Sequence, residues 1–308
     1  MNQSLILNGI DGSNPLGFLS ALGSILIARH FCPNVRLSWK KENCFWRPVI
    51  WEYQSRKEDF TKEMYQSLQS TSSDPFLIDK KLPFSSELFR SSLLVSKKNA
   101  APGKRREIDL LAGLGSEIHF DKNGLFKDTA FRMIRSGDSA GQGLPAYALA
   151  IRKNINIDGL YRTLFKNWDY SDDEYNLRWD PLEDQRYALR WYNPEFETNK
   201  KYAPRTMRGA NVLSLEALAF FPVQPLSSGE IATTCFSRFH GRDFFTWPIW
   251  ERPISSEVIK SLLSLSDIHK NEYPSRQRLA RLGIIDIFRC ERIAPNKYYK
   301  NFSPAVPV

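Results

Sequence analysis

The chain has 308 residues, 42% of them hydrophobic, 13% aromatic and 25% charged, a composition that excludes global disorder. Its 43 Lys+Arg outnumber 34 Asp+Glu to leave a formal net charge of +9, which favours polyanionic partners over acidic small substrates. The length suits one large domain or two lobes sharing an interface, and the fold class expected is α+β, with mixed sheets and packed helices. Cys32, Cys44, Cys235 and Cys290 lie far apart without a C-x-x-C pair, and read as reduced core thiols of a cytoplasmic protein.

In chain order, Asn14 and Pro15 predict a helix start, with Ser13 or Asn14 as cap and a helix to about Phe31. Its apolar stretch, Leu16 to Ala28, is too short to cross a bilayer and follows no basic segment, so it reads as a buried helix rather than a signal or an anchor. Val35 to Lys40 and Trp46 to Tyr53 predict a hairpin turning near Asn43. Lys57 to Ser70 carries Phe60, Met64 and Leu68 at helical spacing. The Ser/Pro-rich stretch from Ser70 to Ser92 leads to S-K-K-N-A-A-P-G-K-R-R-E, read as a mobile basic loop over residues 97–106. A helix is expected over Ile108 to Leu114, a short strand over Thr129 to Ile134, a glycine loop over 136–143, and helices from Leu144 to Asn154 and Ile157 to Trp168. An acidic run from Asp169 to Asp184 follows, suited to docking a basic neighbour or repelling misplaced nucleic acid. A lobe boundary would fall at Tyr170 to Tyr175, separating residues 1–170 from 176–308. Beyond it come a helix from Asn211, taken as its cap, to Phe221; strands around a Gly241 turn between Ile231 and Phe245; a helix from Ser255 to Ser266; a basic helix after Pro274; and a strand from Ile284 to Arg289.

The candidate chemistry is sparse. Gly137-Asp138-Ser139-Ala140-Gly141 matches the G-x-S-x-G pattern of a hydrolase nucleophile elbow, between a predicted strand and a predicted helix. His240 or His269 would then serve as base, yet no oxyanion loop lies upstream and the strand before it carries two arginines. The same loop also suits a phosphate, held by backbone N–H groups and a helix N-terminus, with Arg132 and Arg135 assisting around Ser136, Gly137, Gln142 and Gly143. A tight turn is the plainer account of it. The four histidines form no metal-ligand pair, and neither Glu117, His119 and Asp121 nor Asp286, Glu291 and Lys297 share a face as two-metal chemistry requires. No metal, cofactor or catalytic residue is expected.

Basic clusters recur: Lys97, Lys98, Lys104, Arg105 and Arg106; then Lys200, Lys201, Arg205 and Arg208; then Arg276, Arg278, Arg281, Arg289, Arg292, Lys297 and Lys300. Tyr202, Phe239, Tyr298 and Tyr299 stand beside them, the pairing of aromatics and cations that holds single strands. Trp168, Trp179, Trp191, Trp247 and Trp250 read as core or partner-interface residues.

Four stretches carry a resemblance: N-P-L-G-F-L-S-A-L-G from Asn14, W-D-P-L-E-D-Q-R-Y-A-L-R-W from Trp179, N-V-L-S-L-E-A-L-A-F-F-P-V-Q-P from Asn211, and F-T-W-P-I-W-E-R-P-I-S from Phe245. In this order the chain resembles the accessory or large-subunit-like proteins of CRISPR-associated Cascade effectors of subtype I-G (formerly I-U) and related variants. The motifs lie between Asn14 and Ser255 and cover about a third of the chain. S-G-D-S-A-G-Q-G occupies the place of an S-G-G-x-Q loop in that group and departs from it at Asp138 and Ser139. The resemblance implies a nuclease-free subunit that contacts crRNA or target DNA and other Cascade-like subunits, with a separately recruited helicase-nuclease and no membrane. The rival expectations are a serine hydrolase using Ser139 and a structural adaptor in another defence assembly.

Overall fold

A computed structural model describes residues 4–70, 74–101, 105–134, 143–172, 175–183, 205–294 and 300–308. Strand β1 (Ser4–Ile6) leads into a loop organised by Asp11, whose Oδ1 accepts from the backbone N–H groups of Ser13 and Trp46, each at 3.1 Å. Helix α1 (Pro15–Ala28) starts where the sequence predicts: Asn14 Oδ1 accepts from Gly17 N at 3.1 Å, and Pro15 occupies the first turn. It stops at Ala28, short of Phe31. Every residue of α1 except Leu26 is buried, as a helix apolar on all sides requires.

Strands β2 (Arg36–Glu42) and β3 (Phe45–Trp51) form the predicted hairpin, with Asn43 at φ 55° in its turn, and β1 adds to the free edge of β3. Helix α2 (Lys57–Gln69) buries Phe60 and Met64, and α3 (Ser86–Asn99) is capped by Ser85, whose hydroxyl accepts from Leu88 N. The basic stretch is therefore only partly a loop: Lys97 and Lys98 sit in the last turn of α3, while Arg106 opens α4 (Arg106–Leu114). Strands β4 (Gly115–Phe120) and β5 (Phe126–Asp128) make a second hairpin.

Thr129 to Ile134 differ from the strand expected there. They form turns, closed by Arg132 N donating to Thr129 O, and Phe131, Met133 and Ile134 all turn inward instead of alternating across a sheet. Helices α5 (Leu144–Lys153) and α6 (Ile157–Phe165) follow, α6 capped by Asn156 and ending before Trp168. Helix α7 (Arg208–Ala217) begins after Met207, so Asn211 is not its cap. Buried in the first turns, Asn211 accepts from Leu177 N at 3.0 Å and donates to Thr206 Oγ1 at 2.9 Å, tying two loops to the helix.

Strands β6 (Val223–Pro225) and β7 (Ile231–Thr233) pair with each other. Then β8 (Phe236–Phe239) and β9 (Arg242–Trp250) turn through His240 and Gly241, helices α8 (Ser256–Leu263) and α9 (Tyr273–Arg281) follow, and β10 (Ile284–Ile293), β11 (Asn301–Phe302) and β12 (Val306–Pro307) end the chain. The larger sheet runs β11-β10-β9-β8, with β12 also on β10, and every pairing among the described strands is antiparallel. The fold is thus α+β. No helix among the described residues is long and apolar enough to cross a membrane.

One cluster of buried apolar side chains extends from Leu5 to Phe302 and draws on both sides of positions 170–175. At its centre α1 touches α7 so closely that a Cβ on Gly23 would lie 1.7 Å from Leu213 O. Phe18 of α1 stacks against Trp39 and Trp247, with ring centroids 5.8 and 5.7 Å away, and meets the face of Trp250 edge-on. Three buried indoles satisfy their N–H groups, Trp247 donating to Gly12 O, Trp250 to Leu37 O and Trp179 to Phe131 O, whereas that of the buried Trp39 has no acceptor among the described residues. Trp168 is only partly buried, and Trp191 lies outside the described residues. Of the cysteines, Cys235 and Cys290 are core thiols as expected, whereas Cys32 is half-buried and Cys44 exposed.

Two carboxylates of the acidic run, Asp172 and Asp180, are used internally, while Asp169 is exposed and Asp173 and Glu174 lie outside the described residues. Asp172 accepts from Arg162 at 2.5 Å and from Arg208 N at 2.8 Å. Asp180 is fully buried, its carboxylate accepting from Asn14 Nδ2, Leu182 N and the Tyr170 hydroxyl. Burial raises its pKa, and those three donors only partly offset the rise. Asp184 lies outside the described residues.

Two outcomes follow. Gly23→Ala must force α1 and α7 apart and should cost more than the roughly 1–3 kcal/mol of ordinary overpacking, whereas Gly229→Ala, at φ +81° in open space, should cost only about 1–2 kcal/mol; thermal melting of both variants checks this. Asp180 has a raised folded-state pKa, so its contribution to stability is greatest below its unfolded value and falls as pH rises through the folded one. Asp180→Asn should therefore melt above the parent at neutral pH by roughly 2–4 °C, with the gap closing toward pH 4; a gap independent of pH would refute the assignment.

Candidate nucleic-acid interface

The ends of six helices converge on a groove of about 1020 Å³. Its floor is apolar, made by Leu26 and Ile27 of α1, Leu68 of α2, and Ala219 and Phe220 just after α7. Charged side chains ring it: Arg29 and His30 past α1, Arg105, Arg106, Glu107 and Asp109 at the start of α4, Glu216 of α7, and Glu257 and Lys260 of α8. Ser96 and Asn99 of α3 also line it; Lys97 and Lys98, between them on the same turn, are exposed and point away from the groove-lining face. Neither lysine has a carboxylate partner among the described residues, and their position in the last turn suits the negative end of the α3 dipole.

The other cations are balanced. Arg29 pairs with Glu257 at 2.7 Å, Arg105 with Asp109 at 3.3 Å, and Lys260 with the same Asp109 at 3.2 Å. At the base of the groove Glu216 receives a two-pronged bond from Arg106, at 2.6 and 2.7 Å, and a third at 2.6 Å from Arg152, which also pairs with Asp74. Burial alone would raise the Glu216 pKa, but Arg106 and Arg152 overcome it and hold the group below the usual carboxylate range. His30, beside this network, is pushed below its ordinary value by burial and by Arg106 and Arg29, against an opposing pull from Glu216.

The structure separates the sequence-predicted cations into two kinds. Arg105, Arg205 and Arg281 are exposed, as are Lys97 and Lys98. Arg276 donates to Asn271 Oδ1 at 2.6 Å, Arg278 pairs with Asp267 at 2.6 Å, Arg208 donates to Asn154 O, and Lys300 is half-buried. Arg106, Arg132, Arg289 and Arg292 differ from the expected phosphate-facing role. Arg106 is held by Glu216 and Arg132 by Asp128; Arg289 donates to Thr246 Oγ1 and His269 O; Arg292 donates to Arg132 O and pairs with Asp243. Lys104, Arg135, Ser136, Gly137, Ser139, Gln142, Lys200, Lys201, Tyr202, Lys297, Tyr298 and Tyr299 lie outside the described residues, while Gly143 is buried immediately before α5.

The residues weighed for catalysis are dispersed. The strand required before a nucleophile elbow is replaced by the turns at Thr129 to Ile134. His240 is exposed on a hairpin, and His269 is half-buried, its pKa driven down to about 4 by desolvation and by Arg289. His119 Nε2 meets Leu226 O, Asp121 closes its own turn, and Asp286 accepts from the Trp46 indole. Among the described residues no three His, Cys, Asp or Glu side chains gather as a metal site. The chain matches no protein-family model and no curated protein.

Because Glu216 has a folded pKa below its unfolded value of about 4.3, its contribution is full above that pH and is lost as pH falls through the folded value. Glu216→Ala should cost roughly 1–3 kcal/mol at pH 7, since the half-buried Arg106 loses its two-pronged bond and Arg152 loses one of its two carboxylates while keeping Asp74. Denaturant unfolding measures this directly, and an unchanged midpoint at pH 7 would show the network to be dispensable.

Proposed function

We propose that the chain is a non-catalytic nucleic-acid-binding subunit of a Cascade-like CRISPR effector, contacting crRNA or target DNA as well as neighbouring subunits. The observation that carries this reading is the pair Lys97 and Lys98: exposed, without carboxylate partners among the described residues, and in the last turn of a helix whose Ser96 and Asn99 line a groove where the cations are already paired. Phosphates gain most from cations that need not first give up a carboxylate. With a net charge of +9, the chain is drawn toward a polyanion as a whole while the end of α3 offers it a local seat. Partner contact has separate support in the apolar side chains left exposed on α3 and β4, namely Leu88, Leu94, Val95, Ile118 and Phe120. Such residues, clustered on a surface, suit coverage by another protein. The four motif stretches supply the Cascade context.

Binding of the purified chain to short single-stranded RNA, single-stranded DNA and duplex DNA at two salt concentrations tests the reading. Affinity should fall as salt rises, and Lys97→Glu with Lys98→Glu should reduce the log–log slope by about 1.4–1.8, the value for two phosphate contacts. Absence of binding to all three at low salt would remove nucleic acid from the function.

A further inference from the structure

The hairpin of β8 and β9 projects a second feature, none of whose residues lines the groove. Arg238 pairs in register with Asp243 and Phe239 with Arg242, and the chain reverses through His240 and Gly241 at φ 47° and 78°. Two successive positive φ values define the tight two-residue turn whose twist matches that of the strands. At its end Phe239 is 64% exposed, with the His240 ring 4.1 Å away as its one aromatic neighbour among the described residues. Arg238 and Arg242 flank it, their side chains 74% and 66% exposed. Their carboxylate contacts, Arg238 to Asp243 at 3.9 Å and Arg242 to Glu291 at 3.4 Å, are long and open to water, so an incoming anion displaces them at little cost.

Nothing in the turn calls for a phenyl ring at this position. The tip is also held firmly: β9 lies between β8 and β10, and Phe245 and Trp247 anchor it in the core, stacked with centroids 5.0 Å apart. A single ring, with Arg242 opposite it on the same face and Arg238 on the other face of the hairpin, is too small an apolar surface for a protein partner to cover. It has the dimensions and charge of a platform for a single nucleobase with a phosphate on either side.

We propose that this hairpin tip is a stacking site for an unpaired nucleotide, in which Phe239 receives the face of the base and Arg238 and Arg242 hold the adjoining phosphates. The site rests on the nucleic-acid reading above and adds to it a base contact that the groove does not supply. It makes the preferred ligand a single strand or an unpaired end.

The probe is a short single-stranded oligonucleotide carrying one 2-aminopurine, whose fluorescence is quenched on stacking. Bound to the parent protein at low salt, it should be quenched. Phe239→Ala should abolish the quenching and weaken binding roughly 5- to 150-fold, the span of one base–aromatic stack, with the salt slope unchanged. Phe239→Trp should restore both. Replacing Arg238 and Arg242 by Gln should instead lower the salt slope by about 1.4 for a single strand. Because all three residues are exposed, melting temperatures should stay at the parent value, which separates a lost contact from a lost fold. Binding by the parent with the same affinity and quenching in Phe239→Ala would overturn the stacking site and leave the nucleic-acid reading standing. A Phe239 effect seen with duplex alone would overturn the choice of an unpaired base. No binding by the parent to any probe would overturn both.

Discussion

The structure depends on α1 having no side that faces water. A helix apolar all round must be enclosed, and here the enclosure is close enough that the backbone of Gly23 lies against the carbonyl of Leu213. That approach sets the position of α7, and α7 in turn carries Glu216 to the base of the groove. The opposite side of α1 offers Phe18 to Trp39, Trp247 and Trp250, which brings together the hairpin of β2 and β3 and the long strand β9. Its N-terminal cap, Asn14, serves twice: Oδ1 closes the first turn while Nδ2 reaches the buried Asp180.

This arrangement explains what the four motif stretches have in common. They are far apart in sequence, yet each places residues on or near α1: Asn14, Phe18 and Gly23 from the first, Asp180 from the second, Leu213 and Ser214 from the third, Trp247 and Trp250 from the fourth. Ser214 donates its hydroxyl to Leu16 O at 3.3 Å, and Trp247 donates its indole N–H to Gly12 O. The described parts of the stretches behind the resemblance thus help to specify a core, and those side chains describe how the chain packs more than what it binds.

Elements governed by local rules were legible in the sequence. The Asn14-Pro15 start of α1, the Asn43 turn and the Gly241 turn each follow from a backbone requirement met by one or two residues. Where tertiary contacts outweigh local preference the sequence misleads. Asn211 has the chemistry of a cap but is spent on Leu177 and Thr206 from inside α7, and Thr129 to Ile134 alternate like a strand yet turn three apolar side chains inward. The basic clusters fail for a related reason. Counting cations along the chain cannot reveal that Arg106 will meet Glu216, 110 positions away, or that Arg292 will meet Asp243 across a sheet. The groove had no local signal at all, because it is assembled from the ends of helices distant in sequence.

These pairings also decide where the positive charge can act. An arginine locked to a buried carboxylate presents little field to solvent, and a phosphate drawn to it would have to break a short, poorly screened bond. Arg106 and Arg132 are in that position, so they contribute to holding the fold and little to attracting a polyanion. The excess charge is therefore effective at the exposed cations, among them Lys97 and Lys98 at the end of α3 and Arg238 and Arg242 beside Phe239 in the hairpin. The end of α3 offers two lysines and suits phosphates of any sequence, whereas the hairpin tip, on the edge strand β8, adds an exposed ring that suits an accessible base face. A ligand that engages both must carry its charge along a backbone and leave at least one base unpaired, a combination that single strands meet and a closed duplex does not.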